Sequence, residues 1–94
     1  MSQIRRLVVD VLKPHEPGIV ELTRDLADLE GVEGVNSSLL EVDEEVKNIK
    51  LTMEGEIDEP EVRDLIQESG ASIHSVDEVA AGERTVDKVR TPQD

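Results

Sequence analysis

Residues 13–18 (KPHEPG) place a histidine and a glutamate between two prolines, immediately before a segment with helical periodicity. Backbone amides that are free at a helix N-terminus attract anions, and an imidazolium adds positive charge. A glycine at the same point lets a ligand approach the backbone closely. We therefore predict a site for a small anionic ligand, such as a carboxylate or a phosphate, at His15, Glu16 and Gly18.

His74 is the second of only two histidines in the chain. In the topology predicted below, the start of the fourth strand meets the end of the first strand, so we expect His74 to approach His15 and to join the same ligand site. The alternative is that His15 is a helix cap or an exposed turn residue, and that His74 is a polar residue on an open sheet face.

Carboxylates at two places suit a divalent cation as the cofactor. One group lies in a predicted hairpin turn, which we expect at the same end of the sheet as His15. Imidazole and carboxylate ligands together can hold such a cation. The other group lies on two strands predicted to be neighbours, where several oxygens could bind Ca²⁺. The five candidate metal ligands are Asp10, Asp43, Glu44, Asp77 and Glu78.

Simpler roles compete with metal binding. Arg6 lies on the first predicted strand within reach of Asp77 or Glu78, so a cross-strand ion pair is an alternative use of these carboxylates. Two separated histidines are also a looser pattern than zinc sites show. Catalysis has little support, because the chain has no cysteine and none of the familiar nucleophile or metalloprotease motifs. We therefore predict a protein that is not an enzyme.

The composition restricts the partners. The chain has 94 residues and a net charge of −13, which disfavours nucleic acid as a partner. No apolar run is long enough to cross a bilayer and no signal peptide is evident, so a cytoplasmic protein is expected. The many acidic residues, with less lysine than arginine, resemble haloarchaeal proteins, in which high salt screens repulsion between acids. A mesophilic protein with an acidic surface is the alternative.

The periodicity predicts six elements. Residues 4–12 alternate as a strand, residues 17–30 carry a helical apolar stripe with Gly31 as the C-terminal cap, and residues 35–42 are extended. A turn at residues 43–45 leads to a third strand that reaches residue 57. A second helix follows at residues 59–69, with Asp58 and Glu61 spaced as a capping box and Gly70 at its end. Residues 71–80 form the last predicted strand.

The order β-α-β-β-α-β predicts a ferredoxin-like α+β sandwich with a four-stranded antiparallel sheet and both helices on one face. We assign residues 1–82 to this domain. Residues 83–94 form a C-terminal extension, in which residues 85–89 have enough β propensity for a short additional edge strand before a flexible end.

Two phrases resemble a known family. LVVDVLKPHEPGIVEL near the start and IHSVDEVAAG followed by TPQD near the end resemble an archaeal domain-of-unknown-function family, number two hundred and eleven. The resemblance implies a ferredoxin-like fold, a cytoplasmic archaeal source and a ring-like homo-oligomer, and it implies no activity. The stretch Pro17 to Leu22 also resembles the first loop of ACT domains, which sense amino acids, although residues 13–16 are inserted ahead of it.

The sequence thus predicts an oligomeric binding or regulatory module for a small anionic metabolite or a divalent cation. The open sheet face, edge strands that need protection and a core without aromatic residues all favour association with further copies of the chain. The first alternative is a structural or protein-interaction ring without a ligand. The second is a small enzyme whose site is shared between subunits.

Overall fold

The computed structural model describes residues 2–88 of the chain. Its elements in order are β1 (Ile4–Pro14), α1 (Ile19–Ala27), β2 (Val32–Val42), β3 (Val46–Ile57), α2 (Glu59–Glu68) and β4 (Ser72–Ala81). The strands form one sheet in the order β2-β3-β1-β4, and all neighbouring strands are antiparallel. The predicted ferredoxin-like α+β fold is confirmed.

The core lies between one face of the sheet and the two helices. Alternation along β1 turns Leu7, Val9 and Val11 toward the helices, and their register partners on β3 face the same way. The helices contribute an apolar stripe made of Leu22, Leu26, Val62 and Ile66. Every core side chain is aliphatic or methionine, as the absence of aromatic residues requires.

Helix α1 is shorter than predicted. It begins at Ile19 with Gly18 as the N-cap, so Pro17 precedes the helix, and it ends at Ala27 with Asp28 as the C-cap. Gly31 is therefore not the C-terminal cap. It has a φ of 90°, and a Cβ atom there would lie 2.4 Å from the Glu56 carbonyl oxygen. Its position is set by the close approach of β3 and not by the end of the helix.

Helix α2 follows the prediction closely. The Asp58 side chain accepts a hydrogen bond from the backbone N–H of Glu61 at 3.3 Å, which is one half of the predicted capping box. Gly70 follows the C-cap Ser69 with a φ of 88°, as expected for a glycine just past a helix end. Among residues 2–88, neither helix has the length and apolar character needed to cross a membrane.

The opposite face of the sheet carries mostly polar side chains. Arg6 on β1 forms ion pairs with Glu54 at 2.7 Å and Glu78 at 3.1 Å, so the predicted cross-strand pair between Arg6 and Glu78 is confirmed. Other members of this open face, identified by their register with Arg6, are Val8, Asp10, Leu12, Lys50 and Thr52.

The segment after β4 approaches this open face. Asp87 reaches the Arg6 guanidinium at 2.8 Å, and the carboxylates of Asp87, Glu54 and Glu78 together raise the pKa of Arg6. Residues 85–88 form no strand. The last residue of the predicted edge strand, Val89, lies outside the described residues.

Candidate functional site

The loop at residues 14–18 connects β1 to α1 and contacts the hairpin between β2 and β3. The His15 Nε2 atom lies 3.1 Å from the backbone carbonyl oxygen of Asp43. His15 therefore lies beside the hairpin, as predicted. Both His15 and Glu16 are exposed, and the Glu16–Pro17 peptide bond is cis.

The hairpin turn is organised by the Asp43 side chain. Its Oδ1 atom accepts the backbone N–H of Val46 at 2.8 Å and that of Glu45 at 2.9 Å. These two hydrogen bonds, first Val46 and then Glu45, hold the pKa of Asp43 below its usual value, and the charge of His15 adds to them. One oxygen of Asp43 is thus used by the turn, while Glu44 is an exposed turn residue.

Lys13 was not predicted, yet it lies directly beneath the loop. Its side chain is 0% exposed, and its ammonium donates hydrogen bonds to the carbonyl oxygens of Pro14 and Pro17. Burial lowers the pKa of Lys13, as does the charge of Lys47, its register partner on β3, whereas Glu16 opposes both. The signal was present in the sequence, because strand alternation after Val9 and Val11 turns Lys13 toward the core.

The N-terminus of α1 offers open backbone amides. Gly18 is the N-cap and supplies no side-chain hydrogen bond to the first turn. A Cβ atom built at Gly18 would meet nothing within 4 Å, so the space beside it is open. The loop therefore combines free amides, the buried Lys13 ammonium and the His15 imidazole, and all of these groups favour an anion.

The structure does not bring His74 to His15. Ser72, the first residue of β4, is paired with Leu12, whereas His15 lies beyond the end of β1. His74 lies in a β-bulge beside Asp10 and Val11, and β1 continues from there to Pro14 before the loop that carries His15 begins. The expectation failed because β1 continues past the start of β4.

The candidate metal ligands on β4 are engaged by other groups. Asp77 accepts the Ser75 hydroxyl at 2.7 Å and lies 3.5 Å from the Lys50 ammonium. The Ser75 hydrogen bond is the largest cause that lowers the pKa of Asp77, with Lys50 and His74 adding to it. Glu78 is bound by Arg6. Among residues 2–88, no group of three or more His, Cys, Asp or Glu side chains could hold a metal ion.

Comparison with known proteins identifies the relatives of this chain. The model of the domain-of-unknown-function family number two hundred and eleven, described as "Uncharacterized ArCR", matches residues 5–94. The chain belongs to this family. An uncharacterized protein of the archaeon Methanocaldococcus jannaschii is 46% identical over 95 residues, covering 100% of this chain and 98% of that protein.

The family match confirms the resemblance seen in the sequence. It spans β1 to the C-terminal residues, so the loop at residues 14–18, the hairpin and the segment after β4 all belong to the matched domain of the family.

Proposed function

We propose that this protein is a homo-oligomeric binding module. Its subunits associate through the edges of their sheets, and each subunit presents a site for a small anionic ligand at residues 14–18. The observation that carries the proposal is that both edge strands expose large apolar side chains on the helix side of the sheet. Exposed edge strands also leave backbone groups available for pairing with another chain.

The β2 edge forms one apolar surface. Leu39 and Val42 are register partners of Ile49 and Lys47, so they lie on the helix side of the sheet, and both are about half exposed. Beside them, a groove of about 370 Å³ lies between α1 and β2. Its lining is Ile19, Val20, Thr23, Arg24 and Ser37.

The β4 edge forms the second apolar surface. Val76 and Val79 are register partners of the buried Val9 and Leu7, which places them on the helix side as well. They are nevertheless 47% and 52% exposed. Two neighbouring exposed valines on one edge strand support the proposal that another chain covers this surface.

The two edges differ in sequence and shape, so a contact between them is heterologous. A heterologous contact repeated by one rotation closes into a ring if the rotation permits, and otherwise continues as a filament. A core without aromatic residues gains stability from burial between subunits. This geometry supports the ring that the family resemblance implies.

Single substitutions at each edge test the assembly. Leu39→Lys and Val79→Lys place a charge in the proposed contact and should each convert the oligomer to monomers by light scattering. Ser38→Lys is the matched control, because Ser38 is exposed on the same strand and on the opposite face. Assembly that persists in Leu39→Lys and Val79→Lys, or that is lost equally in Ser38→Lys, would refute the edge contact.

The proposed anion site is formed by groups at and beside residues 14–18. An anion there would meet the free amides of α1 and the imidazole of His15, while the ammonium of Lys13 contributes positive charge from beneath. A divalent cation is less favoured here, because one oxygen of the Asp43 carboxylate is already used by the turn and residues 2–88 contain no group of three His, Cys, Asp or Glu side chains that could hold a metal ion.

Thermal stability measured against phosphate, citrate and amino acids at constant ionic strength tests the ligand. Binding to the native state raises the melting temperature by mass action. His15→Ala should remove the rise and leave the fold intact, because His15 is exposed in a loop. His74→Ala is the control, since His74 is distant and should leave the rise unchanged. No rise with any of these anions would favour the alternative of a structural assembly without a ligand.

A further inference from the structure

The end of the sheet opposite the loop at residues 14–18 contains a cavity of about 170 Å³. Its walls come from the start of β1, from β2 and β3, and from the segment that follows β4. A water molecule occupies about 30 Å³ in the liquid, so the cavity has room for a molecule several times the size of water.

The segment after β4 is held at two points, which fixes its place as one wall of the cavity. The Gly82 N–H donates to the carbonyl oxygen of Gln3 at 2.8 Å, and the Arg5 Nε atom donates to the carbonyl oxygen of Gly82 at 2.8 Å. Farther along the segment, the Asp87 carboxylate lies 2.8 Å from the Arg6 guanidinium. The residues between these two anchors line the cavity.

Five charged side chains line the cavity, and one of them is already neutralised, because Glu54 is ion-paired with Arg6 at 2.7 Å. The other four are the guanidiniums of Arg5 and Arg84 and the carboxylates of Glu33 and Glu83. Two positive and two negative groups therefore border one small space.

Within residues 2–88, these four groups form no ion pair with one another. The Arg5 Nε atom is used by Gly82, and the ion pair of Arg5 with Glu56 spans 3.8 Å, which is longer than a hydrogen bond. The outer N–H groups of Arg5 are thus available to a bound molecule. The same holds for the guanidinium of Arg84, which has no ion pair within residues 2–88.

We propose that this cavity binds a small zwitterion with one carboxylate and one ammonium group, such as glycine. The carboxylate of the ligand accepts hydrogen bonds from the two guanidiniums, and its ammonium donates hydrogen bonds to the two carboxylates. A simple anion would be opposed by those carboxylates and by the net charge of −13, and a simple cation by the guanidiniums. A zwitterion satisfies both sets of groups and adds no net charge.

The test compares glycine with two molecules that each carry one of its charged ends. Glycine, potassium acetate and methylammonium chloride are titrated into the full chain at constant ionic strength, and the backbone amide resonances of Gly55, Arg84 and Thr85 are followed by NMR. Glycine should shift these resonances saturably, and acetate and methylammonium should each bind at least tenfold more weakly, because each lacks one charged end. The absence of a saturable shift with glycine, or binding of either half-molecule as tight as that of glycine, would overturn the proposal.

Two variants locate the site. Arg84→Gln and Glu33→Gln should each weaken glycine binding at least fivefold, because each removes a charge that one end of glycine meets. The matched controls on α2 are Arg63→Gln, where Arg63 pairs with Glu59 at 2.6 Å, and Glu68→Gln at an exposed position. They remove the same charges and should leave glycine binding unchanged. Thermal melts establish that each variant is folded. Unchanged binding in folded Arg84→Gln or Glu33→Gln, or equal weakening in the controls, would show that the site lies elsewhere.

Discussion

Lys13 shows how a single buried side chain can organise the loop at residues 14–18. The carbonyl oxygens of Pro14 and Pro17 accept hydrogen bonds from the Lys13 ammonium. Neither proline has an N–H of its own, so the loop is short of internal donors. The lysine provides those donors from the core side, and the exposed side of the loop remains available to His15 and Glu16.

We predict that Lys13→Met destabilises the protein by about 2 kcal/mol, because the two carbonyl oxygens lose their donor while the aliphatic packing is largely kept. The loss of a buried charge offsets part of this cost. Chemical denaturation in molar KCl gives the free energy of unfolding.

The control is Lys47→Met, on the neighbouring strand and in register with Lys13. It should change the free energy of unfolding by less than about 0.5 kcal/mol, as expected for a partly exposed side chain. If the two variants were equally stable, the hydrogen bonds of Lys13 would not hold the loop.

Asp43 should make the hairpin turn sensitive to acid. Hydrogen bonds from Val46 and Glu45 hold its pKa below the ordinary value of 3.8 in the folded chain, so the unfolded chain takes up the proton at a higher pH. The carboxylate therefore contributes stability that is present above pH 3.8 and is lost as the pH falls through the lower folded-state pKa.

Melting temperatures of the wild type and of Asp43→Asn between pH 6 and pH 2 measure this contribution. The asparagine can accept the same backbone hydrogen bonds but cannot titrate. The advantage of the wild type over the variant should shrink as the pH falls below 4. A difference that stays constant over this range would contradict the role of the charged carboxylate.

The sequence predicted where the candidate site lies, but it predicted less well which residues belong to the site. The position of His15 after a strand and before a helix placed it on the hairpin rim. His74 was misplaced, because the sequence does not reveal that β1 continues past the first residue of β4. Lys13 was missed because a charged residue is ordinarily assigned to solvent, although the alternation with Val9 and Val11 pointed inward.

At the scale of elements, Gly31 and Gly55 hold the crossing between the start of β2 and the end of β3. Gly31 has a φ of 90°, Gly55 has a φ of 131°, and the Glu56 N–H donates to the Gly31 carbonyl oxygen at 2.7 Å. Cβ atoms at these positions would meet backbone atoms at 2.4 Å and 2.3 Å. The tight approach of the two strands therefore depends on both glycines.

We predict that Gly31→Ala destabilises the protein by more than about 2 kcal/mol, because the alanine combines a strained φ with a clash against Glu56. Gly34→Ala is the matched control on the same strand. A Cβ atom at Gly34 would meet nothing within 4 Å, and its φ is not positive, so the alanine should be neutral or slightly stabilising. Equal effects in the two variants would contradict this account.

The element order was predictable from local patterns, and the element ends were less so. Alternation in β3 and the Asp58 cap with Gly70 in α2 are local signals, and both agree with the structure. The end of α1 was assigned to Gly31 because a glycine after an apolar stripe usually caps a helix. Gly31 is instead required by its close approach to Glu56. These two residues are far apart in the sequence, so local patterns could not predict their contact.

At the scale of the whole molecule, 23 acidic residues against 10 basic residues should make stability depend on salt. We predict that the free energy of unfolding rises from dilute buffer to molar KCl, because the salt screens repulsion between surface carboxylates. Glycine betaine at matched osmolality is the control and should have a much smaller effect. Equal stability in dilute buffer and in molar KCl would refute the haloarchaeal interpretation of the composition.

We propose that the two unlike edges of the sheet bind each other. Each of the variants Leu39→Lys and Val79→Lys alters one edge and keeps the other intact. An equimolar mixture therefore contains one working pair of edges, β4 of the Leu39→Lys chain with β2 of the Val79→Lys chain. No further working edge remains in that pair, so assembly should stop at two chains.

Light scattering on this mixture at millimolar concentration in molar KCl measures this association. We expect each variant alone to be a monomer and the mixture to form heterodimers and nothing larger. A mixture that remains monomeric, or one that recovers the full wild-type assembly, would contradict edge-to-edge association.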